Sequence, residues 1–330
     1  MGIKNLNRFI LDNCKRQTVC KKSLKYFTNK TIVIDTSIYM YKYVAQNTLV
    51  ESFYFMMTLF KENKITPLFV FDGKPPPEKR ELIKERSELK RTAEAKYNEI
   101  KADIDNNNMS NKMKNEMVME MDCLKKQFVR LNWTDIQTVK QLIQSYGQIY
   151  YDAPGEADRL CVEMVMSGQA WACLSDDMDM LVYGCPRVIR HLSLMNCNVI
   201  FYDLDKILTE LDMNMKTFRQ ISVISGTDYN INRNQNTNTI VHSLHETMRW
   251  YNEYIKCIAH IHNSSFKPDF YEWLNANTKY ISNLSELYKI YNMFCIDPVN
   301  NINVENCASV SLADRDKLKD ILMKDGFMFV

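Results

Sequence analysis

No apolar run in the 330 residues approaches the length of a membrane-spanning helix, so no helical span is expected. Residues 1–8 are followed by only Phe9, Ile10 and Leu11, too short an apolar stretch for a secretory signal peptide. The ten cysteines include no CxxC pair, which argues against a disulfide framework or a zinc ribbon and for reduced intracellular thiols. Neither sign of charge dominates: 42 Lys and Arg against 40 Asp and Glu leave a net charge of +2. Such a balance permits nucleic-acid binding without requiring it. The 46% hydrophobic and 25% charged composition is that of a globular protein able to bury a large core.

What the chain does have is carboxylates in small clusters. Asp35 closes TIVID, Asp72 sits in FVFDGKPPP, and Glu156 and Asp158 lie in DAPGEAD. Asp177 and Asp179 lie in SDDMDML, and Asp228 in ISGTD. Gathering seven acids at one point opposes folding unless cations neutralise them. Oxygen ligands without accompanying His or Cys favour Mg²⁺, with Mn²⁺ as a substitute, over zinc. Two such ions suit phosphodiester hydrolysis. If the seven are ligands, the remaining surface is basic.

The clusters follow strand-like runs. Thr31 to Asp35 is short, apolar and β-branched; residues 67–72 repeat the design, and 170–175 resemble it with Asp177 just beyond. Continuous apolar runs suit strands buried on both faces of a mostly parallel sheet, and Leu49–Glu62 has the spacing of a crossover helix. The expected class is α/β, a twisted sheet flanked by helices. Ligands collect outside the carboxyl ends of such strands, so an acid past each strand points into one crevice. Singly, each Asp reads equally well as a helix N-cap; all of them at strand ends do not. Glu156 and Asp158, two apart, do not share a helix face, but the first turn lets both reach one site, where the positive dipole end favours them.

From residue 74 to about 131 the texture changes to two long charged helices broken by Asn106, Asn107 and Asn108. Their small apolar content suits either a solvated hairpin or a clamp over a phosphate backbone, and the start directly after Asp72 favours the clamp.

Taken in order, MGIKNL, DTSIYMY, FVFDGKPPPEKRELIKER, YDAPGEAD, LSDDMDMLVYGCPRVIRHL and ISGTDY resemble the flap endonuclease branch of the XPG-type structure-specific 5′ nucleases, from residue 1 to roughly 325. The resemblance implies a PIN-like nuclease core over 1–215, with the 74–131 segment as an inserted helical arch, and a C-terminal helical region over 216–330. It implies one metal held by Asp35, Asp72, Glu156 and Asp158, and a second by Asp177, Asp179 and Asp228, with Asp158 near both. Lys79 and Arg86 match the basic residues at the base of the family's arch. Such cations steady a scissile phosphate, although Glu78 and Glu85 would equally make them ordinary salt-bridge partners. Tyr41 matches an aromatic on which a terminal base stacks, while a lone aromatic on a helix is more often core. Gly2 matches a processed N-terminus beside the active site.

The activity implied is cleavage of DNA at 5′ flaps, nicks, gaps or ends, in replication, repair or recombination, by a monomer. A non-catalytic junction-binding scaffold and a 5′-to-3′ exoribonuclease of related fold are the alternatives. Three departures from the family pattern stand out. Asp158 replaces a Glu and is one methylene shorter. Asn230, Asn232, Asn234, Asn236 and Asn238 occupy a segment that in the family is a Gly-rich helix-two-turn-helix binding duplex and potassium. No sliding-clamp motif is recognisable near Val330. Abundant Asn, Lys, Ile, Met and Tyr suggest an AT-rich source such as a large DNA virus. Cytoplasmic replication sites are expected in that case, and the nucleus in a cellular setting. Cys257, His260 and His262, with His242 and His245, match no standard zinc spacing and read as helix packing.

Overall fold

The computed structural model describes residues 3, 5–106, 111–229, 243–259, 268–281, 283–296 and 313–329. The Gly2 and 230–238 expectations lie outside the described residues.

Seven strands form one sheet: β1 (Val19–Ser23), β2 (Thr31–Asp35), β3 (Thr66–Phe71), β4 (Ile149–Asp152), β5 (Ala172–Leu174), β6 (Arg187–Ser193) and β7 (Asn198–Asp203). Their order is β1-β7-β6-β5-β2-β3-β4. Strands β2 to β6 pair in parallel; β7 returns antiparallel to β6, and β1 pairs antiparallel with β7. The mostly parallel sheet expected from the apolar runs is therefore present, with an antiparallel margin those runs did not announce.

Alternation along each strand divides the core in two. Val33, Leu68, Val70 and Cys173 face the helix Ala157–Met166 and the C-terminal helices, including Phe218, Tyr271 and Phe294. Ile32, Ile34, Phe69 and Leu174 face the helices Thr36–Gln46, Leu49–Glu62 and Trp133–Ser145. Both sheet faces are covered, which explains why β2 and β3 read as continuous apolar runs. The C-terminal helices thus share a continuous core with one face of the sheet. The helix Arg315–Lys324 returns to the other face, where Leu322 is buried and the Asp314 N–H donates to the Ser145 carbonyl at 2.9 Å.

The charged segment forms two helices, Arg80–Asn106 and Asn111–Gln127, entered through a short 3-10 turn at Pro77–Lys79. They contribute nothing to either sheet core, as their composition suggested. They do hold a small core of their own, with Ala93, Ile100 and Leu124 buried and Tyr97, Met117, Met121 and Phe128 packed around them. The sparse apolar residues fall on facing stripes, so the hairpin is braced from within as well as by Lys96–Glu120 and Arg130–Glu94.

Candidate active site

The parallel order β5-β2-β3-β4 sets four strand ends side by side, and the carboxylates follow from it. Asp35 is the last residue of β2, and Asp72 follows β3 directly. Glu156 and Asp158 flank the start of the helix Ala157–Met166, one short turn beyond β4. Asp177 and Asp179 lie beyond β5, with Asp179 opening the helix Asp179–Tyr183. Asp228 comes from the segment after the helix Met215–Ile224.

Close approach of the backbones fixes the Asp72 side of the crevice. The Gly73 N–H donates to the Gly155 carbonyl at 2.7 Å, and a Cβ at Gly73 would meet the Ala153 oxygen at 2.0 Å. Only glycine admits that contact. Asp72 then accepts the Ala157 N–H at 2.8 Å, which caps the helix carrying Glu156 and Asp158.

Electrostatics show how closely the acids crowd. Burial, then Asp72 and Asp158, holds the Asp35 carboxyl well above the ordinary carboxylate range. Burial and Glu156 push Asp158 up to about 7, and burial with Asp177 and Asp228 raises Asp179 strongly. Asp177 is raised by burial, with a contribution from Asp228. Asp158 acts on Asp35 and Asp179, and Asp177 on Asp35, Asp158 and Asp179, so the repulsion runs through the cluster as a whole. Among the described residues, however, no three His, Cys, Asp or Glu side chains converge as a ready-made cage.

Cations stand between them instead. Lys79, only 8% exposed, donates to Glu156 at 2.7 Å and lies 3.9 Å from Asp228. Burial works against its charge, but Tyr229, Asp158 and Glu156 override this and raise its pKa. Arg86 donates through one nitrogen to both Asp228 oxygens at 2.9 Å. Glu156 and Asp228 are thus ionic partners of the arch-base cations. Tyr41 is not core: its ring is 42% exposed, and Lys90 from the arch lies 4.9 Å from the ring centre. Of the zinc alternative, Cys257 is exposed on the helix Leu244–Ala259, while His242, His260 and His262 lie outside the described residues.

Three supporting groups carried little sequence signal. The Ser175 hydroxyl donates to Asp35 at 3.0 Å and accepts the Asp177 N–H at 3.2 Å, tying β2 to β5. The Tyr229 hydroxyl donates to Glu156 at 3.0 Å. The Ile3 N–H donates to Asp179 at 3.2 Å, bringing the start of the chain to the cluster. Tyr229 follows Asp228 in ISGTDY, and Ser175 stands two residues before Asp177 in LSDDMD, which is the only hint the sequence offered for them.

Carboxylates raised by burial and by one another, as Asp35, Asp158 and Asp179 are, fit hard divalent cations. Comparison with known proteins agrees with the motifs. Residues 1–93 match the XPG N-terminal domain and residues 147–228 the XPG I-region, together more than half of the chain. Flap endonuclease 1 of Methanococcus aeolicus is 29% identical over 236 residues, covering 67% of this chain and 68% of the relative. The Homo sapiens flap endonuclease 1 is 28% identical over 247 residues, 69% of this chain and 62% of the relative. The chain therefore spans about two thirds or less of the length of such relatives. Among solved structures, the catalytic core of Rad2 with DNA substrate superposes with a TM-score of 0.63 at 19% identity, covering 98% and 95% of the two chains. Flap endonuclease-1 from Methanococcus jannaschii gives 0.57 at 22% identity, covering 94% and 91%. These neighbours share the fold, and the matched N-terminal and I regions contain every carboxylate of the crevice: the chain belongs to the XPG family.

Proposed function

We propose that the chain is a magnesium-dependent structure-specific nuclease that hydrolyses DNA near junctions of single and double strand, at 5′ flaps, gaps or ends. The observation that carries this reading is the crowding of mutually repelling carboxylates from separate segments at the carboxyl ends of neighbouring strands, with Lys79 and Arg86 from the arch base among them.

Asp35, Asp72, Glu156 and Asp158 would hold one Mg²⁺, and Asp177, Asp179 and Asp228 a second, with Mn²⁺ as a substitute. Bound there, the pair would supply charge neutralisation at the phosphodiester and activation of a water. The chain's own residues do the rest. Lys79 keeps its proton because the surrounding acids raise its pKa, so it serves as a fixed cation and not as a base. Arg86, which now binds Asp228 with a single nitrogen, retains donors in its planar fork for phosphate oxygens. Tyr229 and Ser175 orient Glu156 and Asp35. The exposed face of Tyr41 suits stacking of an unpaired base at the crevice rim, and the arch offers a passage for the single strand. Duplex grip through phosphates would be sequence-independent and salt-sensitive.

No helix of the described residues is long and apolar enough to cross a membrane. A monomeric enzyme is the partner reading, at nuclear or, for a viral source, cytoplasmic replication sites. A non-catalytic scaffold is disfavoured because idle clustered acids only destabilise the fold. The test is cleavage of matched 5′-labelled DNA and RNA flaps in Mg²⁺. Cutting of DNA near the junction supports the reading. Cutting of RNA alone would move the chain to an exoribonuclease role, and junction binding without cutting would make it a scaffold.

A further inference from the structure

Strand β6 carries an irregularity whose only evident use is at the neighbouring strand end. Arg190 pairs with Ile200 and Ser193 with Asn198, so β6 takes three steps where β7 takes two. His191 lies inside this bulge at φ 55°, a left-handed conformation unfavourable for a side chain with a Cβ. A strained bulge beside an active site calls for a functional reason.

Three consecutive β6 residues hold the turn that carries Asp177. The Ser175 N–H donates to the Ile189 carbonyl at 3.0 Å. Arg190 donates through one terminal nitrogen to the Asp176 carbonyl at 2.6 Å, and through the other contacts the Met178 sulfur. The His191 N–H, turned by the bulge, donates to the Asp176 carboxylate at 2.6 Å. Residues on both sides of Asp177 are thereby fixed, and its carboxylate is left to accept the Asp179 N–H.

Arg190 is also a costly group to keep. It is 5% exposed, with the Tyr202 ring 5.5 Å away, and no ion pair to a carboxylate is found for it among the described residues. A buried cation bound by a carbonyl, a thioether and the Tyr202 side chain contributes little to stability beside its desolvation. Its contacts are those of a brace.

We infer that Arg190 and Asp176, with the His191 backbone, are positioning residues that set the Asp177–Asp179 carboxylates for the second metal. The inference rests on the nuclease reading. Loss of the brace would let the Asp177 turn relax away from its partners, weakening metal affinity more than DNA binding. Disturbing groups that orient metal ligands costs on the order of 10- to 100-fold in affinity or activity.

The experiment compares wild type with Arg190→Lys, Arg190→Met, Asp176→Ala and the remote core variant Leu142→Ala. Calorimetric Mn²⁺ titration is run without DNA, alongside kcat and KM on a double flap over a Mg²⁺ series. Arg190→Met and Asp176→Ala are expected to weaken Mn²⁺ binding and raise half-saturating Mg²⁺ about tenfold, lowering kcat with KM nearly unchanged. Arg190→Lys is expected to recover part of the loss, and Leu142→Ala to lower only thermal stability. The inference is overturned if the Arg190 and Asp176 variants lose stability as Leu142→Ala does while keeping wild-type metal affinity. If wild type binds Mn²⁺ but cuts no flap, the nuclease reading fails by itself, and the titration still decides whether Arg190 positions the ligands.

Discussion

The arch and the carboxylate crevice meet at Lys79 and Arg86, yet they are built on opposite principles. The crevice sits on the ends of strands buried on both faces, over two large cores, and its acids are held where they repel one another. The arch has only a small buried cluster, Ala93, Ile100 and Leu124, and exposed ion pairs. A rigid scaffold can hold an unfavourable arrangement of charge that a weakly braced one cannot. On the nuclease reading proposed above, the weakly braced part is the one that opens for a strand, so chemistry falls to the sheet and access to the hairpin.

Breaking the crevice should have the largest effect. Lys79→Ala is expected to lower the cleavage rate by about 10²–10³-fold, since it removes a preorganised cation from the reacting phosphate. Single-turnover rates on a double flap would check it. A fall in DNA affinity with an unchanged rate would place Lys79 outside the chemistry.

Core truncation sharpens the contrast between the regions. Phe69→Ala, under the sheet, is expected to cost about 3–5 kcal/mol in global stability. Ile100→Ala should open the arch locally, seen as faster amide exchange over residues 80–127 with a smaller change in the global melting midpoint. Equal global losses from both would mean that the arch folds cooperatively with the sheet.

The charge arrangement also predicts a pH dependence for metal-free protein. Asp158 has a folded pKa of about 7 against an ordinary 3.8, so the folded state binds the extra proton between those values. Stability from this group is greatest near pH 4 and falls as pH rises toward about 7, above which the full cost of ionisation, a few kcal/mol, is present. Asp158→Asn should therefore raise the melting midpoint of metal-free protein at pH 7.5 and flatten its pH profile. Divalent cation should stabilise wild type more than the variant. Thermal melts at pH 5 and 7.5, with and without Mg²⁺, would check this; an Asp158→Asn midpoint below wild type at pH 7.5 would contradict it.

The smallest effect belongs to the arch's surface. Glu94→Ala breaks an exposed ion pair with Arg130 and should move the melting midpoint by less than about 2 °C.

The sequence carried the crevice well because its signal is local. Asp35 and Asp72 each close an apolar run containing β-branched residues, and a strand buried on both faces cannot be mistaken for an amphipathic one, so β2, β3 and the helix between them were legible. The strand at 170–175 is shorter than its apolar run, spanning Ala172–Leu174, although Trp171 and Ser175 still donate backbone N–H bonds to Thr31 and Ile189 of the flanking strands. What escaped depended on pairing between distant segments. Strands β1 and β7 form the antiparallel margin and have mixed polarity; the role of Ser175 exists only because β2 lies beside β5, and those of Asp176 and Arg190 only because β6 does. Likewise, Tyr229 meets Glu156 across 73 residues, which no periodicity encodes. The small arch core was missed because its apolar residues are few in each helix and count only when the helices face each other.

The most direct measurement is single-turnover cleavage of a 5′-labelled double-flap DNA in Mg²⁺ by wild type and Asp179→Ala, with junction binding followed in Ca²⁺. Cutting near the junction by wild type, abolished in Asp179→Ala while DNA binding persists, is the predicted result. Equal cutting by the two proteins, or none by wild type in either Mg²⁺ or Mn²⁺, would contradict a metal-dependent active site built from these carboxylates.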